Sequence, residues 1–173
     1  LKRPQGVYKT MFEQQGHRFE QTEQQLIVQG ALKAGSYEID GSISSQFITG
    51  LLFALPLLEQ DSIIHIKPPF ESRSYIELTL QMLKTFGVTA EFQDNHTLYI
   101  PGNQSYQVCD YTVEGDYSQM AFYAVLAAIQ SDLYCKGITS SSKQGDKAIL
   151  SILEACNCKI EPKQEGYLVH KSE

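Results

Sequence analysis

The segment Asp40-Gly41-Ser42-Ile43-Ser44-Ser45-Gln46 sets three hydroxyls and a carboxamide directly ahead of an apolar run, Phe47 to Leu58. A polar lip fused to a buried helix suits the binding of an anion. The first helical turn leaves backbone N–H groups unpaired, the macrodipole places partial positive charge there, and hydroxyls can wrap an oxyanion. The plainer reading of the same residues is Ser44 as an ordinary N-cap with Ser45 as a filler.

Composition narrows the partners. A chain of 173 residues with 42% hydrophobic content can bury one ordinary core or two small ones, so a soluble globular protein is expected. The net charge of −6, the pI near 5.2 and the scatter of 14 basic residues argue against a nucleic-acid surface, which needs clustered Lys and Arg. The longest apolar run is broken by Thr49, Gly50 and Pro56, so no membrane span is expected, and no targeting leader is visible. Cys109, Cys135, Cys156 and Cys158 show no C-x-x-C spacing and no histidine that completes a zinc set, so they read as buried reduced thiols of a cytoplasmic protein. His17, His65, His96 and His170 are equally dispersed, and no metal is assigned.

The elements that would hold the lip follow from periodicity. Residues 1–25 are polar and Gln-rich, with a short helix at 7–15 that leans on something else. Strand candidates lie at 26–28 and 37–39, with Gly30 and Gly35 in the turn between them. From Tyr37 the order is strand 37–39, helix 44–58, strand 62–66, helix 74–86 and strands 89–92 and 97–100, a βαβαββ unit. Ser74 and Glu77 read as a capping box for the second helix, Ile76, Leu80 and Leu83 as its apolar face, Gly87 as its end, and Asp94-Asn95 as a hairpin turn.

The order then returns: strand 111–113, the Gly115-Asp116 turn, a nearly all-apolar helix 120–129 opened by Ser118-Gln119, strand 133–137, a helix opened by Gly145-Asp146, and strands near 159–161 and 167–170. Matching elements at one period mark a duplicated unit that usually cannot bury its own faces alone. The first helix of each unit is apolar all round, which predicts burial on every side and a rigidly fixed N-terminus.

The motifs resemble one family. Arg3-Pro4, the Asp40 to Phe47 segment, Ser72-Arg73-Ser74-Tyr75-Ile76, Lys84-Thr85-Phe86-Gly87-Val88, Val113-Glu114-Gly115-Asp116 and Gln144-Gly145-Asp146 are similar, in order and nearly in spacing, to the 5-enolpyruvylshikimate-3-phosphate synthase family. The Ser44-Ser45-Gln46-Phe47 segment is the most specific of them. The resemblance implies an α/β (α+β) fold of six βαβαββ units, three in each of two globes of an inside-out α/β barrel, with the active site in the cleft. This chain would hold about two units: residues 1–111 closing one globe, with a complete unit at 37–100, and 112–173 opening the other.

The activity implied is transfer of the enolpyruvyl group of phosphoenolpyruvate to the 5-hydroxyl of shikimate 3-phosphate, in the shikimate pathway to chorismate and the aromatic amino acids, with no cofactor. By the same resemblance Ser44, Ser45 and Ser72 bind the 3-phosphate and its surroundings, Gln46 reaches between the two substrates, Tyr75 lies against the shikimate ring, and Arg73 is a further cation. Taken alone, Ser72 reads as an N-cap and Tyr75 as a core or rim aromatic.

The family's early lysine-serine segment, its G-N-x-G-T loop and its later aspartate, lysine and arginines have no counterpart here. The chain therefore reads as an internal piece carrying the shikimate 3-phosphate side, inactive alone and prone to self-association. A non-catalytic binding or scaffold module of the same fold is the alternative. No ligand is assigned to the turn at Asp116, whose carboxylate would satisfy N–H groups at its own helix start.

Overall fold

The computed structural model describes residues 5–172, which fall into two compact units, one ending at Cys109 and the other beginning at Asp110. The expected Arg3-Pro4 motif lies outside the described residues.

In the first unit, β3 (Ser36–Asp40) runs parallel to β4 (Ser62–Lys67), and β6 (Thr97–Ile100) and β5 (Glu91–Phe92) follow antiparallel, giving the order β3-β4-β6-β5. Alternation does the sorting. Tyr37, Ile39, Ile64, Ile66, Leu98 and Ile100 all face one core, while Glu38, Asp40, His65 and Lys67 stay exposed. Two helices cover that apolar face: α2 (Gln46–Ala54) through Ile48, Leu51 and Leu52, and α3 (Arg73–Thr85) through Ile76, Thr79 and Leu83. The Thr49 and Thr79 hydroxyls meet at 3.0 Å, so the two polar side chains satisfy each other between the helices.

The Gln-rich opening leans on this core. In α1 (Gly6–Gln14), Met11 is buried and Val7, Tyr8 and Phe12 pack beside it. The Tyr8 ring meets Phe47 edge-on at 4.8 Å and its hydroxyl donates to Phe47 O. A strand absent from the sequence reading follows, β1 (Arg18–Gln21), paired antiparallel with β2 (Leu26–Gln29). Its single apolar anchor, Phe19, is buried, with its ring 6.0 Å from that of Phe12.

The ends of α3 divide between expectation and correction. Its C-terminus closes as a Schellman motif, with Val88 N–H on Leu83 O at 2.9 Å, Gly87 N–H on Lys84 O at 3.1 Å, and Gly87 at φ +77°. The capping box at Ser74 does not form. The helix starts a residue earlier, with Ser72 at the N-cap, and Glu77 pairs instead with Arg73 Nε at 2.8 Å. An i,i+4 ion pair has taken the carboxylate that the box requires.

The second unit comprises α4 (Tyr117–Ile129), β7 (Leu133–Lys136), a 3₁₀ turn at Gly145–Lys147, α5 (Ala148–Ala155), β8 (Ile160–Lys163) and β9 (Gly166–Val169). The sheet order is β7-β9-β8, all antiparallel. The expected strand at 111–113 is not formed. Gly115 N–H does bond Gly137 O at 2.8 Å, but Gly137 sits at φ +77° and gives its own N–H to Glu165 O, so one rung forms and no ladder continues from it. Asp116 caps α4: its Oδ1 accepts Ser118 N–H at 2.8 Å and the Ser118 hydroxyl at 2.7 Å.

Two further expectations are corrected. The apolar helices are not covered on every side, because each buries only the stripe its own sheet reaches. In α4 that stripe is Tyr117, Met120, Ala124 and Ala127, while Phe122 is 73% and Ile129 67% exposed; in α2, Phe53 is exposed. The four cysteines are free, but only Cys158 is buried, its thiol facing His170 O, whereas Cys109 and Cys156 are exposed. Among the described residues no helix is long and apolar enough to cross a membrane.

These contrasts are measurable by urea unfolding. Leu52→Ala, which empties a fully buried site, is expected to cost about 2–5 kcal/mol. Ile129→Ala should change stability by under about 0.5 kcal/mol; a core-sized cost there would contradict the exposed stripe. The Ser118 hydroxyl, then its backbone N–H, hold the Asp116 carboxyl below its usual 3.8, so its contribution is present above that value and lost as pH falls through the lower folded pKa. The melting-temperature gap between wild type and Asp116→Ala should be widest at neutral pH and close below pH 3.8; a pH-independent gap would mean that the cap's charge is irrelevant.

Candidate substrate-binding site

Because β3 and β4 are adjacent and parallel, with Asp40 opposite Lys67, the loops leaving them emerge at the same edge of the sheet. The first loop enters α2 through Ser42–Ser45 and the second enters α3 through Pro68–Ser72. The two loops are in contact. Gly41 N–H bonds Lys67 O at 2.9 Å, and a Cβ on Gly41 would stand 2.7 Å from both Lys67 O and Pro69 O, an approach open only to glycine.

Asp40 shapes the first loop. Its Oδ1 accepts the Ser42 N–H at 2.9 Å and the Ser42 hydroxyl at 2.6 Å, and these bonds, the hydroxyl's first, hold its carboxyl below the usual range. Ser44 Oγ then accepts Gln46 N–H at 3.3 Å, so Ser44 acts as the local cap that the plainer sequence reading gave it. Ser45 and Ser72 differ from it. They are the N-cap residues of α2 and α3, yet neither hydroxyl bonds its own helix, and each is half-buried where its helix begins. Gln46 and Tyr75 lie in the first turns of α2 and α3, both exposed, Tyr75 at 49%.

Arg73 is committed elsewhere. Besides Glu77, its Nη1 donates to Asn95 O at 3.0 Å, and the guanidinium lies 4.3 Å over the Phe92 ring, fastening α3 to the β5–β6 hairpin. Lys67, the last residue of β4, pairs with Glu38 at 2.6 Å. Among the described residues, both cations at this edge, Arg73 and Lys67, have a carboxylate partner, and the donors outside an ion pair are hydroxyls and helix N–H groups.

The second unit builds the corresponding corner differently. Gly115 lies against Gly137 O just as Gly41 lies against Lys67 O, but here the aspartate follows the glycine and caps the helix itself. The family-like motifs Glu114-Gly115-Asp116 and Gln144-Gly145-Asp146 interlock: Gln144 Nε2 donates to Glu114 Oε1 at 3.0 Å and to Gly115 O at 2.9 Å, while its Oε1 accepts Tyr117 N–H at 2.8 Å. Sequence reading singled out both motifs without finding that they meet. Among the described residues no cluster of His, Cys, Asp and Glu is arranged to hold a metal ion.

Comparison with known proteins gives one family. The model of EPSP synthase (3-phosphoshikimate 1-carboxyvinyltransferase) matches residues 2–173. The 3-phosphoshikimate 1-carboxyvinyltransferase of Clostridium perfringens (strain ATCC 13124) is 45% identical over 169 residues, covering 96% of this chain and 40% of that protein. The enzyme of the same name from Clostridium kluyveri is 41% identical over 174 residues, covering 99% of this chain and 41% of its own. The chain thus spans about two-fifths of the length of these curated relatives. A solved EPSP synthase from Acinetobacter baumannii superposes with a TM-score of 0.71 over 99% of this chain and 40% of its own, at 20% identity, a likeness of fold. With a family model running across nearly its whole length, the chain belongs to the EPSP synthase (3-phosphoshikimate 1-carboxyvinyltransferase) family.

Proposed function

We propose that this chain supplies the shikimate 3-phosphate side of an enzyme that transfers the enolpyruvyl group of phosphoenolpyruvate to the 5-hydroxyl of shikimate 3-phosphate, releasing phosphate in the cytoplasmic synthesis of aromatic amino acids. In this reading Ser44, Ser45 and Ser72 surround the 3-phosphate, Gln46 reaches toward both substrates, and Tyr75 lies along the ring. Arg73 acts on this site through its hold on α3 and not as a phosphate ligand. The first unit belongs to one globe and the second opens the other, so the groups that bind phosphoenolpyruvate and move protons come from the rest of the protein. The chain alone does not turn over.

The observation that carries the reading is the pair of uncommitted cap hydroxyls, Ser45 and Ser72, brought to one sheet edge by two parallel strands. Two helix N-termini and two hydroxyls facing one dianion is an arrangement that ordinary capping leaves without a purpose.

The test is the double variant Ser45→Ala/Ser72→Ala in the full-length protein. Each hydrogen bond to a charged phosphate contributes about 1.5–3 kcal/mol, so affinity for shikimate 3-phosphate in calorimetric titration should fall by about a hundredfold or more. Neither hydroxyl caps its helix, so the melting temperature should hardly move. A variant that melts far lower while its folded fraction binds normally would show that the serines serve the fold alone, which is the scaffold reading.

A further inference from the structure

We infer that Asp40 and Gly41 are positioning residues that hold Ser45 and Ser72 in one anion site, an inference that rests on the function proposed above. The two chains are tied where they leave the sheet by the Gly41 N–H to Lys67 O bond of 2.9 Å, which extends the parallel ladder one rung beyond the pair Asp40 and Lys67. Past that rung each chain turns into its own helix, so the spacing between the helix entries is set there.

Gly41 permits the approach. Any side chain would place its first carbon 2.7 Å from two backbone carbonyls, those of Lys67 and Pro69, and backbone does not yield as a flexible side chain does. The strain would open the gap between the loops and carry the serines apart. Asp40 fixes the direction of departure: by holding both the N–H and the hydroxyl of Ser42 on one oxygen, it sets how Ile43, Ser44 and Ser45 are presented.

The second unit shows what this placement achieves. There the same glycine-to-carbonyl contact recurs, and the same aspartate-to-serine pair of bonds recurs at 2.8 and 2.7 Å, but Asp116 is the residue immediately before α4. Its carboxylate therefore sits at the helix N-terminus where an external anion would bind. In the first unit the aspartate stands further ahead of α2, and Ser42–Ser45 intervene. The carboxylate is turned onto Ser42, and the helix entry is left to hydroxyls. One device serves as a built-in anion in the second unit and as a loop anchor in the first.

Three variants of the full-length protein test this by calorimetry with shikimate 3-phosphate and, separately, with shikimate, which lacks the phosphate. Gly41→Ala and Asp40→Ala are expected to weaken shikimate 3-phosphate binding by about tenfold or more, as a displacement near 1 Å of site groups does, with the Kd for shikimate little changed. Asp40→Asn keeps an acceptor for both Ser42 bonds and removes a negative charge, so it should bind the phosphate ester at least as well as wild type. The inference is overturned if both alanine variants, folded, bind shikimate 3-phosphate as wild type does, if they lose both ligands equally, or if Asp40→Asn is as weak as Asp40→Ala. The Ser45→Ala/Ser72→Ala variant separates the two levels: if it loses affinity while Asp40→Ala and Gly41→Ala keep theirs, the positioning role alone fails, and if it binds normally the proposed function fails as well.

Discussion

Two adjacent parallel strands that each run into a helix must deliver both helix N-termini to the same edge of their sheet. In the first unit that constraint is met by β3 and β4, and nearly everything about the candidate site descends from it. The strands are held in register by burial, since Tyr37 with Ile64 and Ile39 with Ile66 face the core; a slip of one residue would turn those side chains to solvent and Glu38 and Asp40 inward. The register in turn places Gly41 against Lys67, and the loops beyond begin from a fixed separation. Helices α2 and α3 hold that edge from behind, packed on the same face and joined through Thr49 and Thr79.

The second unit shares the plan and diverges at its edge. Its glycine contact survives, but no parallel ladder stands behind it, and its aspartate has become the helix cap. A helix N-terminus capped by a carboxylate has its field satisfied internally, whereas one approached by neutral hydroxyls retains it. In the proposed reading, the difference between a corner that binds and a corner that only folds lies in how far the aspartate stands from the helix it precedes.

The sequence made much of this legible for particular reasons. The βαβαββ order of the first unit could be read because its strands alternate and α3 carries a periodic apolar face with Gly87 behind it. The serines could be read because hydroxyls ahead of an apolar helix are unusual in type and place. Strand β1 was hidden because Arg18, Glu20 and Gln21 surround its single anchor, Phe19. Residues 111–113 misled in the opposite sense, since a local pattern of Tyr and Val says nothing about whether a neighbouring edge can pair, and Gly137 turns its carbonyl so that only one rung forms. The uniform apolarity of α4 misled as well, since apolar residues all round do not say which of them a sheet will reach, and Phe122 and Ile129 stay exposed. The tie between Gly41 and Lys67 could not be read at all, because it depends on which strand lies beside which.

The central claim is that one phosphate dianion engages the entries of both α2 and α3. Backbone amide shifts of the full-length protein, followed by NMR during titration with shikimate 3-phosphate, test it most directly. The account predicts that Gln46 and Phe47 at the start of α2 and Arg73 and Ser74 at the start of α3 shift together, saturating with one common Kd, while Ser118 and Gln119 at the self-capped start of α4 do not follow them. Shifts confined to one of the two helices, or saturating with separate Kd values, would contradict it.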